Sequence, residues 1–145
     1  MDDCVFCNIV NRTIEAQILY ENERLIVIKD ILPKAPVHLL VIPKKHILSI
    51  THVEPVDEPL VGEMVLVAKD MGIKYGIGET GYKLVFNVGR DGGQVIPHLH
   101  LHLLGGKKMG EWGKRINTDL SRMNTDLQVS VHPFFIRVDL IFLLK

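Results

Sequence analysis

Three histidines alternate with leucines in one segment of the chain, where residues 98–104 read His-Leu-His-Leu-His-Leu-Leu. If this segment is a β-strand, its side chains alternate between two faces, so His98, His100 and His102 share one face and the leucines share the other. The leucine face suits a hydrophobic core, whereas every imidazole carries a donor and an acceptor that need partners. A surface strand that happens to carry histidines is the plain alternative. The pattern indicates a face built for chemistry.

Two kinds of chemistry fit three clustered imidazoles. All three could ligate a catalytic metal, as in tri-histidine zinc enzymes. Alternatively, one neutral imidazole, which is available near pH 7, could attack phosphorus and form a reactive phosphoramidate intermediate. The preceding loop, Asp91-Gly92-Gly93-Gln94, permits close approach of the backbone, and its N–H groups could cradle an anion. This loop favours the nucleophile over the metal.

A Cys-x-x-Cys pair, Cys4 and Cys7, stands at the N-terminus. Alone it is compatible with a redox pair, half of a metal site, or chance, and no thioredoxin-like βαβ pattern surrounds it. A tetrahedral zinc site needs two further soft or borderline ligands, which folding brings from elsewhere in the chain. His46 and His98 are candidates, since neither has an evident part in phosphate chemistry.

The elements that must position these groups can be predicted from hydrophobic patterning. Strands are expected at residues 18–20, 24–29, 37–42, 82–88 and 97–104. Residues 37–42 are almost wholly apolar except for His38, which is typical of a central strand. A long helix is expected over residues 57–75, with Asp57 as N-cap and Gly76 as its stop. Its apolar stripe consists of Leu60, Met64, Ala68, Met71 and Tyr75.

Composition narrows the class of protein. The chain has 145 residues, 47% of them hydrophobic and 23% charged, which is typical of one globular domain. A formal net charge of zero argues against a nucleic-acid partner, but not against a single nucleotide. No apolar run approaches the ~20 residues that cross a bilayer, and the start of the chain is unlike a signal peptide. We therefore expect a cytoplasmic protein that binds a small molecule and neither nucleic acid nor membrane.

Taken together, these motifs resemble the histidine triad (HIT) superfamily, whose pattern is His, apolar, His, apolar, His, apolar, apolar. The surrounding residues are similar to its Hint branch, the purine nucleoside phosphoramidases, in one consistent order from about residue 4 to residue 109. The matching segments are Asp30-Ile31, Ala35-Pro36, residues 38–46, Asn87, Gly92-Gly93-Gln94 and Gly105-Gly106. The resemblance implies hydrolysis at the α-phosphorus of AMP–amine conjugates through a nucleotidyl-histidine intermediate.

The resemblance also implies roles for individual residues. His100 would be the nucleophile, and His102 and His38 would orient it and balance charge on the phosphate side. Asp30 would accept hydrogen bonds from the ribose hydroxyls. Apolar side chains would line the base pocket, namely Phe6, Ile9, Ile28 and Ile31. Residues near the sugar and phosphate would be Asn87, Gly93, Gln94 and Val95.

For the cysteine pair, the resemblance implies a structural zinc ion held by Cys4, Cys7, His46 and His98. Several members of the superfamily bind zinc through such a set. Four protein ligands close the coordination shell, so the ion would fasten the N-terminus and take no part in the reaction. Metal-free thiols are the alternative.

The implied fold is α+β: an antiparallel sheet of about five strands with one long helix and a short N-terminal helix. The implied assembly is a homodimer with one continuous sheet. We divide the chain into a HIT domain, residues 1–110, and a C-terminal extension of uncertain structure, residues 111–145.

Two departures from the family pattern leave the substrate open. Val95 stands where many Hint proteins have a hydroxyl residue, so only its backbone N–H could serve a phosphate. The apolar tail after Met109 is unlike the short Hint C-terminus, and Trp112 aligns only loosely with a tryptophan that reaches across the family's dimer. Dinucleoside polyphosphate hydrolysis, non-enzymatic nucleotide binding and a tri-histidine metalloenzyme remain alternatives.

Overall fold

One sheet and two α-helices organise the part of the chain that the computed structural model describes, residues 4–110. The predicted extension, including Trp112, lies outside the described residues. The helices are α1 (Val5–Val10) and α2 (Glu58–Lys74). The strands are β1 (Ile18–Glu21), β2 (Leu25–Lys29), β3 (Val37–Pro43), β4 (Tyr82–Val85) and β5 (Leu101–Gly105). The α+β class and the short N-terminal helix are confirmed. No helix within residues 4–110 has the length and apolar character that a membrane span requires.

The five strands form an antiparallel sheet in the order β1-β2-β3-β5-β4. Strand β3 is central, as its apolar sequence predicts, and nearly all of its residues are buried. The first hairpin closes at Asn22, whose Oδ1 accepts hydrogen bonds from the N–H groups of Arg24 and Leu25 at 2.9 and 2.8 Å. This local pairing fixes the register of β1 against β2.

Helix α2 packs on one face of the sheet, against the leucines of the histidine segment. Leu99, Leu101 and Leu103 are buried with Met64 and Met71 in one cluster, as their alternation predicts. Tyr75 differs from the predicted stripe: it is the C-cap of the helix and is partly exposed. Asp57 is the N-cap residue, but its carboxylate accepts from Lys45 and from the Glu54 N–H instead of capping α2.

The opposite face of the sheet is covered by α1, not by solvent. A second cluster joins Phe6 and Ile9 of α1 to Ile26 and Ile28 of β2 and to Leu40 of β3. A six-residue helix is unstable in isolation, so these apolar contacts must hold it in place. The imidazoles of the histidine segment therefore lie between the sheet and α1.

The predicted strand over residues 97–104 is wrong in its extent. Strand β5 begins only at Leu101, so His98 and His100 lie in the segment before it, which bends at His98 and is not paired with β3. Other hydrogen bonds replace strand pairing there. The Leu99 N–H donates to the Ile47 carbonyl at 2.6 Å, and the His98 ring donates from Nε2 to the carbonyl of Pro43. The alternation of faces persists, because the leucines still enter the α2 core.

Candidate active site and metal-binding cluster

Alternation along three neighbouring segments brings the candidate site together. In β3, His38 shares a face with Leu40, and Leu40 is paired with His102 in β5. Asp30 follows β2 directly, and its N–H donates to the His38 carbonyl at 3.0 Å, which extends the pairing by one residue. Asp30, His38 and His102 therefore meet on the face that α1 covers.

His100 presents one nitrogen in a defined state. Its Nδ1 lies 2.7 Å from the carbonyl oxygen of His98, and because a carbonyl only accepts, Nδ1 carries the proton. In the neutral ring, Nε2 then holds the lone pair. Burial lowers the pKa of His100 from its usual value, which favours this neutral form. The ring packs edge-on against Phe6, with centroids 5.2 Å apart, and not into the leucine core.

His38 and His102 form a directional hydrogen-bond chain. The backbone N–H of Lys34 donates to His38 Nδ1 at 3.1 Å, so the proton of a neutral His38 resides on Nε2. That Nε2 lies 2.9 Å from His102 Nδ1 and donates to it. The proton of neutral His102 is therefore on Nε2, which lies 3.3 Å from the carboxamide nitrogen of Asn87; turning that amide over would present its oxygen instead.

Asp30 is anchored at one oxygen and faces the imidazoles with the other. Its Oδ1 accepts a hydrogen bond from the Leu32 N–H at 2.8 Å, and its Oδ2 lies 3.2 Å from His38 Nε2. The three ligand-type atoms of Asp30, His38 and His102 lie within 4.8 Å of one another. They do not suit a metal, however, because the Lys34 N–H keeps a proton on the His38 nitrogen that would have to ligate it.

A cavity of about 320 Å³ opens over these groups. Nearly all of the nucleotide-binding and catalytic residues predicted from the sequence line it: Phe6, Ile9, Ile28, Asp30, Ile31, His38, Asn87, Gly93, Val95, His100 and His102. The sequence reasoning missed further lining residues, namely Val5, Lys29, Leu32, Lys34, Leu40 and Ile96. Lys34 was detectable in principle, since it lies in the Asp30–His38 loop. A separate recess of about 540 Å³ shares Ile31 with this cavity but contains no histidine.

Gln94 is the predicted nucleotide-binding residue that does not line the cavity. Its Oε1 accepts from the Gly89 N–H at 3.0 Å, and its Nε2 donates to the carbonyls of Leu48 and Ile96. The carboxamide therefore shapes the glycine loop from within. The loop also needs Gly92, since a Cβ there would lie 2.2 Å from the Val88 carbonyl oxygen.

The second cluster consists of Cys4, Cys7, His46 and His98, whose ligand atoms all lie within 4.8 Å of one another. Cys7 Sγ lies 3.2 Å from His46 Nδ1, and His98 Nδ1 lies 3.4 Å from Cys4 Sγ and 3.1 Å from His46 Nδ1. His98 Nε2–H donates to the Pro43 carbonyl at 2.8 Å, which directs the Nδ1 lone pair toward the cysteines. Burial lowers the pKa of His98 to about 4, so the ring is neutral, as a metal ligand must be.

These donors fit a metal ion. Two free, buried thiols and two imidazoles form a compact set of soft and borderline ligands, and a backbone carbonyl orients one ring from behind. By contrast, the three imidazoles of the histidine segment do not converge within the described residues. His98 faces the cysteines, while the Nδ1–H of His100 faces a carbonyl. A tri-histidine metal site is therefore not formed.

Comparison with known proteins places the chain among close relatives. Residues 3–117 match the family described as "Scavenger mRNA decapping enzyme C-term binding". The chain is 43% identical to "Protein HitA" of Neisseria gonorrhoeae over 105 residues, which are 72% of this chain and 97% of that protein. It is 44% identical to the HIT family hydrolase of Legionella pneumophila, with a TM-score of 0.74 and coverage of 77% and 98% of the two chains. A zinc-bound histidine triad family protein of Mycobacterium smegmatis is 31% identical, with a TM-score of 0.63 and coverage of 71% and 74%.

Proposed function

The chain belongs to the histidine triad (HIT) superfamily, and on this premise we propose that it hydrolyses nucleotides at the α-phosphorus, with AMP–amine conjugates as substrates. The single observation that carries the proposal is the state of His100. Its Nδ1–H is held by the His98 carbonyl, so the Nε2 lone pair is available in a cavity that also holds a carboxylate and two further imidazoles. Similarity to the Legionella pneumophila hydrolase supports the reaction class.

The proposed reaction has two displacements at phosphorus. His100 Nε2 attacks, the Nε2–P bond forms, and the P–N bond to the amine breaks. The amine leaves with the bonding electron pair and takes up a proton from solvent, which the second step returns. Water then attacks the same phosphorus, the Nε2–P bond breaks, and AMP is released together with a proton. Because little covalent chemistry is required of other residues, positioning and electrostatics supply most of the rate.

The lining of the cavity divides into parts that suit the parts of a nucleotide. Phe6, Ile9 and Ile28 would bind the flat base through apolar contacts. Asp30 would accept hydrogen bonds from the ribose hydroxyls. His102, with its proton on Nε2, would donate to a phosphate oxygen, as would the backbone N–H of Val95.

A nucleoside polyphosphate is the alternative leaving group to an amine. Lys29 and Lys34 line the cavity, and cationic side chains favour an anionic leaving group such as a nucleoside polyphosphate. The description of the matched family refers to a scavenger mRNA decapping enzyme. Steady-state kcat/KM for an AMP-amine against diadenosine polyphosphates would decide which class the site prefers. A higher value for the polyphosphates would refute the preference for amines.

The side chains of Cys4, Cys7, His46 and His98 would hold a structural zinc ion. Its four protein ligands leave no open position for substrate, so the ion would fasten α1 to the sheet and thereby support the base pocket. The zinc-bound relative supports this choice of metal. Native mass spectrometry of freshly purified protein should show one zinc per chain.

The proposed assembly is a cytoplasmic homodimer. Strand β4 is an edge strand in the described sheet, and Leu66 and Ile73 on α2 are 58% and 63% exposed, as is typical of residues that a partner covers. Light scattering of the purified chain should give twice the monomer mass. The roles of residues 111–145 stay open in this proposal.

The covalent intermediate provides the decisive experiment. The protein is mixed with an AMP-amine, quenched with base, and digested for mass spectrometry. We expect an adenylyl mass increment on the peptide that contains His100, and no increment in His100→Ala. His52→Gln, which changes a histidine outside the cavity, is the control and should behave like wild type. Turnover that is unchanged in His100→Ala would overturn the proposal, and nucleotide binding without turnover would indicate a non-enzymatic binding protein.

A further inference from the structure

We propose that Asp30 has a second role besides contact with the ribose: its carboxylate is the counter-charge of the imidazole cluster formed by His38, His100 and His102. This inference rests on the proposed function and deepens it. Asp30 would then both bind substrate and stabilise the charge formed during the reaction.

The position of the carboxylate supports this role. Asp30 Oδ2 lies 3.2 Å from His38 Nε2, and its oxygen is within 4.8 Å of the ligand nitrogen of His102. The side chains of His38 and Asp30 are only 1% and 17% exposed, so water screens their interaction weakly. Among the described residues that line the cavity, Asp30 is the only acidic one, and Lys29 and Lys34 are the only lysines or arginines.

The hydrogen bond between His38 and His102 links the Asp30 carboxylate to His102, which would contact the phosphate. Because the Lys34 N–H occupies His38 Nδ1, the His38 Nε2–H points to His102 Nδ1. Asp30 Oδ2 lies beside that same N–H, so its negative charge stabilises the positive end of the N–H dipole. The adjacent rings of His100 and His102 have centroids 4.9 Å apart, which continues the cluster to the nucleophile.

The proposed intermediate creates the charge that needs compensation. When His100 Nε2 bonds to phosphorus while Nδ1 keeps its proton toward the His98 carbonyl, the ring becomes cationic. Burial disfavours that cation, and it also lowers the pKa values of His38 and His102. Asp30 opposes the effect of burial at His38 and His102 by raising their pKa values, while Lys34 lowers the pKa values of the same two rings.

Asp30→Asn separates the two roles of the carboxylate. The variant removes the charge but keeps an oxygen that can accept from the Leu32 N–H, so the local turn is preserved. Wild type and variant are compared in single-turnover nucleotidylation of His100, with an AMP-amine and with its 2′,3′-dideoxy analogue. A counter-charge predicts that Asp30→Asn slows the dideoxy analogue by at least about tenfold, since that substrate has no ribose hydroxyls to lose. A role in ribose contact alone predicts equal rates for wild type and variant with the analogue, and this result would overturn the inference.

A second measurement does not depend on turnover. Histidine titration followed by NMR should give lower pKa values for His38 and His102 in Asp30→Asn than in wild type. These two rings face each other, and the other titratable and charged groups that act on them are Asp30, Lys34 and, at His102, His100. Only Asp30 differs between the two proteins. Asp70→Asn, an exposed position on α2, is the control and should change neither the rates nor the titration.

The two measurements distinguish failure of this inference from failure of the proposed function. If wild type modifies neither substrate, the proposed function fails, and the titration alone then tests the counter-charge. Unchanged pKa values of His38 and His102 in a folded Asp30→Asn protein would overturn the inference whatever the rates.

Discussion

Phe6 contacts both His98 of the proposed metal site and the nucleophile His100, and it lines the proposed base pocket. Truncation of Phe6 therefore tests all three assignments. Phe6 follows Cys4 and precedes Cys7 on α1, is 3% exposed, and packs edge-on against the rings of both His98 and His100 at centroid distances of 5.8 and 5.2 Å. Removing a fully buried phenyl ring costs about 3–5 kcal/mol in the free energy of unfolding. Each of the two edge-on ring contacts is about 0.5–1.5 kcal/mol of that loss.

We therefore expect two different outcomes for two substitutions. Phe6→Ala should lower the free energy of unfolding by about 3–5 kcal/mol, which is a large part of the stability of a small domain. Phe6→Leu keeps most of the apolar volume and should lose only the two ring contacts, about 1–3 kcal/mol together. In both variants KM should rise more than kcat falls, because the base loses a wall of its pocket while the His98 carbonyl still orients His100.

Urea denaturation at constant metal content gives the free energies, and turnover of an AMP-amine gives the kinetic constants. A loss below about 1 kcal/mol for Phe6→Ala, with unchanged metal content, would show that α1 does not pack on the sheet as described. A selective fall in kcat with KM unchanged would contradict the assignment of Phe6 to the base pocket.

Three further predictions concern the metal, the pH and the glycine loop. Removing bound metal with a strong chelator, or replacing a ligand in Cys7→Ser, should lower Tm by more than about 5 °C; an equal Tm with and without metal would argue against a structural site. Burial holds the pKa of His102 at about 4, below its usual 6.5, so its contribution to stability is complete above pH 6.5 and is lost as the pH falls toward 4. Between pH 6.5 and pH 4 the Tm of His102→Asn should therefore fall by less than the Tm of wild type. Parallel curves of Tm against pH for the two proteins would refute this. Gly92→Ala should reduce turnover at least about tenfold, because its Cβ would meet the Val88 carbonyl, whereas the control Gly62→Ala, with open space around it, should gain about 0.5–1 kcal/mol and keep full turnover.

Periodicity explains how much of the fold the sequence predicts. The alternation of histidine and leucine predicts opposite sides through the two-residue period of an extended chain, and Leu99 follows this prediction although it precedes the paired strand. Leu99, Leu101 and Leu103 enter the α2 core as predicted, although β5 starts only at Leu101. The predicted start of the strand at residue 97 is wrong because residues 98 and 99 bond to the carbonyls of Pro43 and Ile47 instead of to β3. No local sequence pattern predicts these partners, since they lie about 50 residues away in the chain.

The roles of the site residues remain predictions, but their placement separates two sources of information. Residue type made His46 and His98 candidate partners of Cys4 and Cys7, the resemblance to the HIT superfamily implied the full set, and that grouping is present in space. Gln94 illustrates the limit: its place in the glycine loop suggested ligand contact, whereas its carboxamide is used within the loop. A side chain's partners depend on what folding brings within about 3 Å, which sequence proximity does not specify.

The sequence alone determined which chemical groups this protein carries and that the alternate leucines of residues 98–104 enter the core, because both follow from residue type and a period of two. Only the tertiary structure decided their protonation and orientation. The Lys34 N–H places the proton of His38 on Nε2, the His98 carbonyl leaves His100 Nε2 with its lone pair, and Asp30 reaches His38 across the junction of β2 and β3. A tautomer is set by the donor or acceptor that meets the other ring nitrogen, and those partners come from distant segments or from backbone groups.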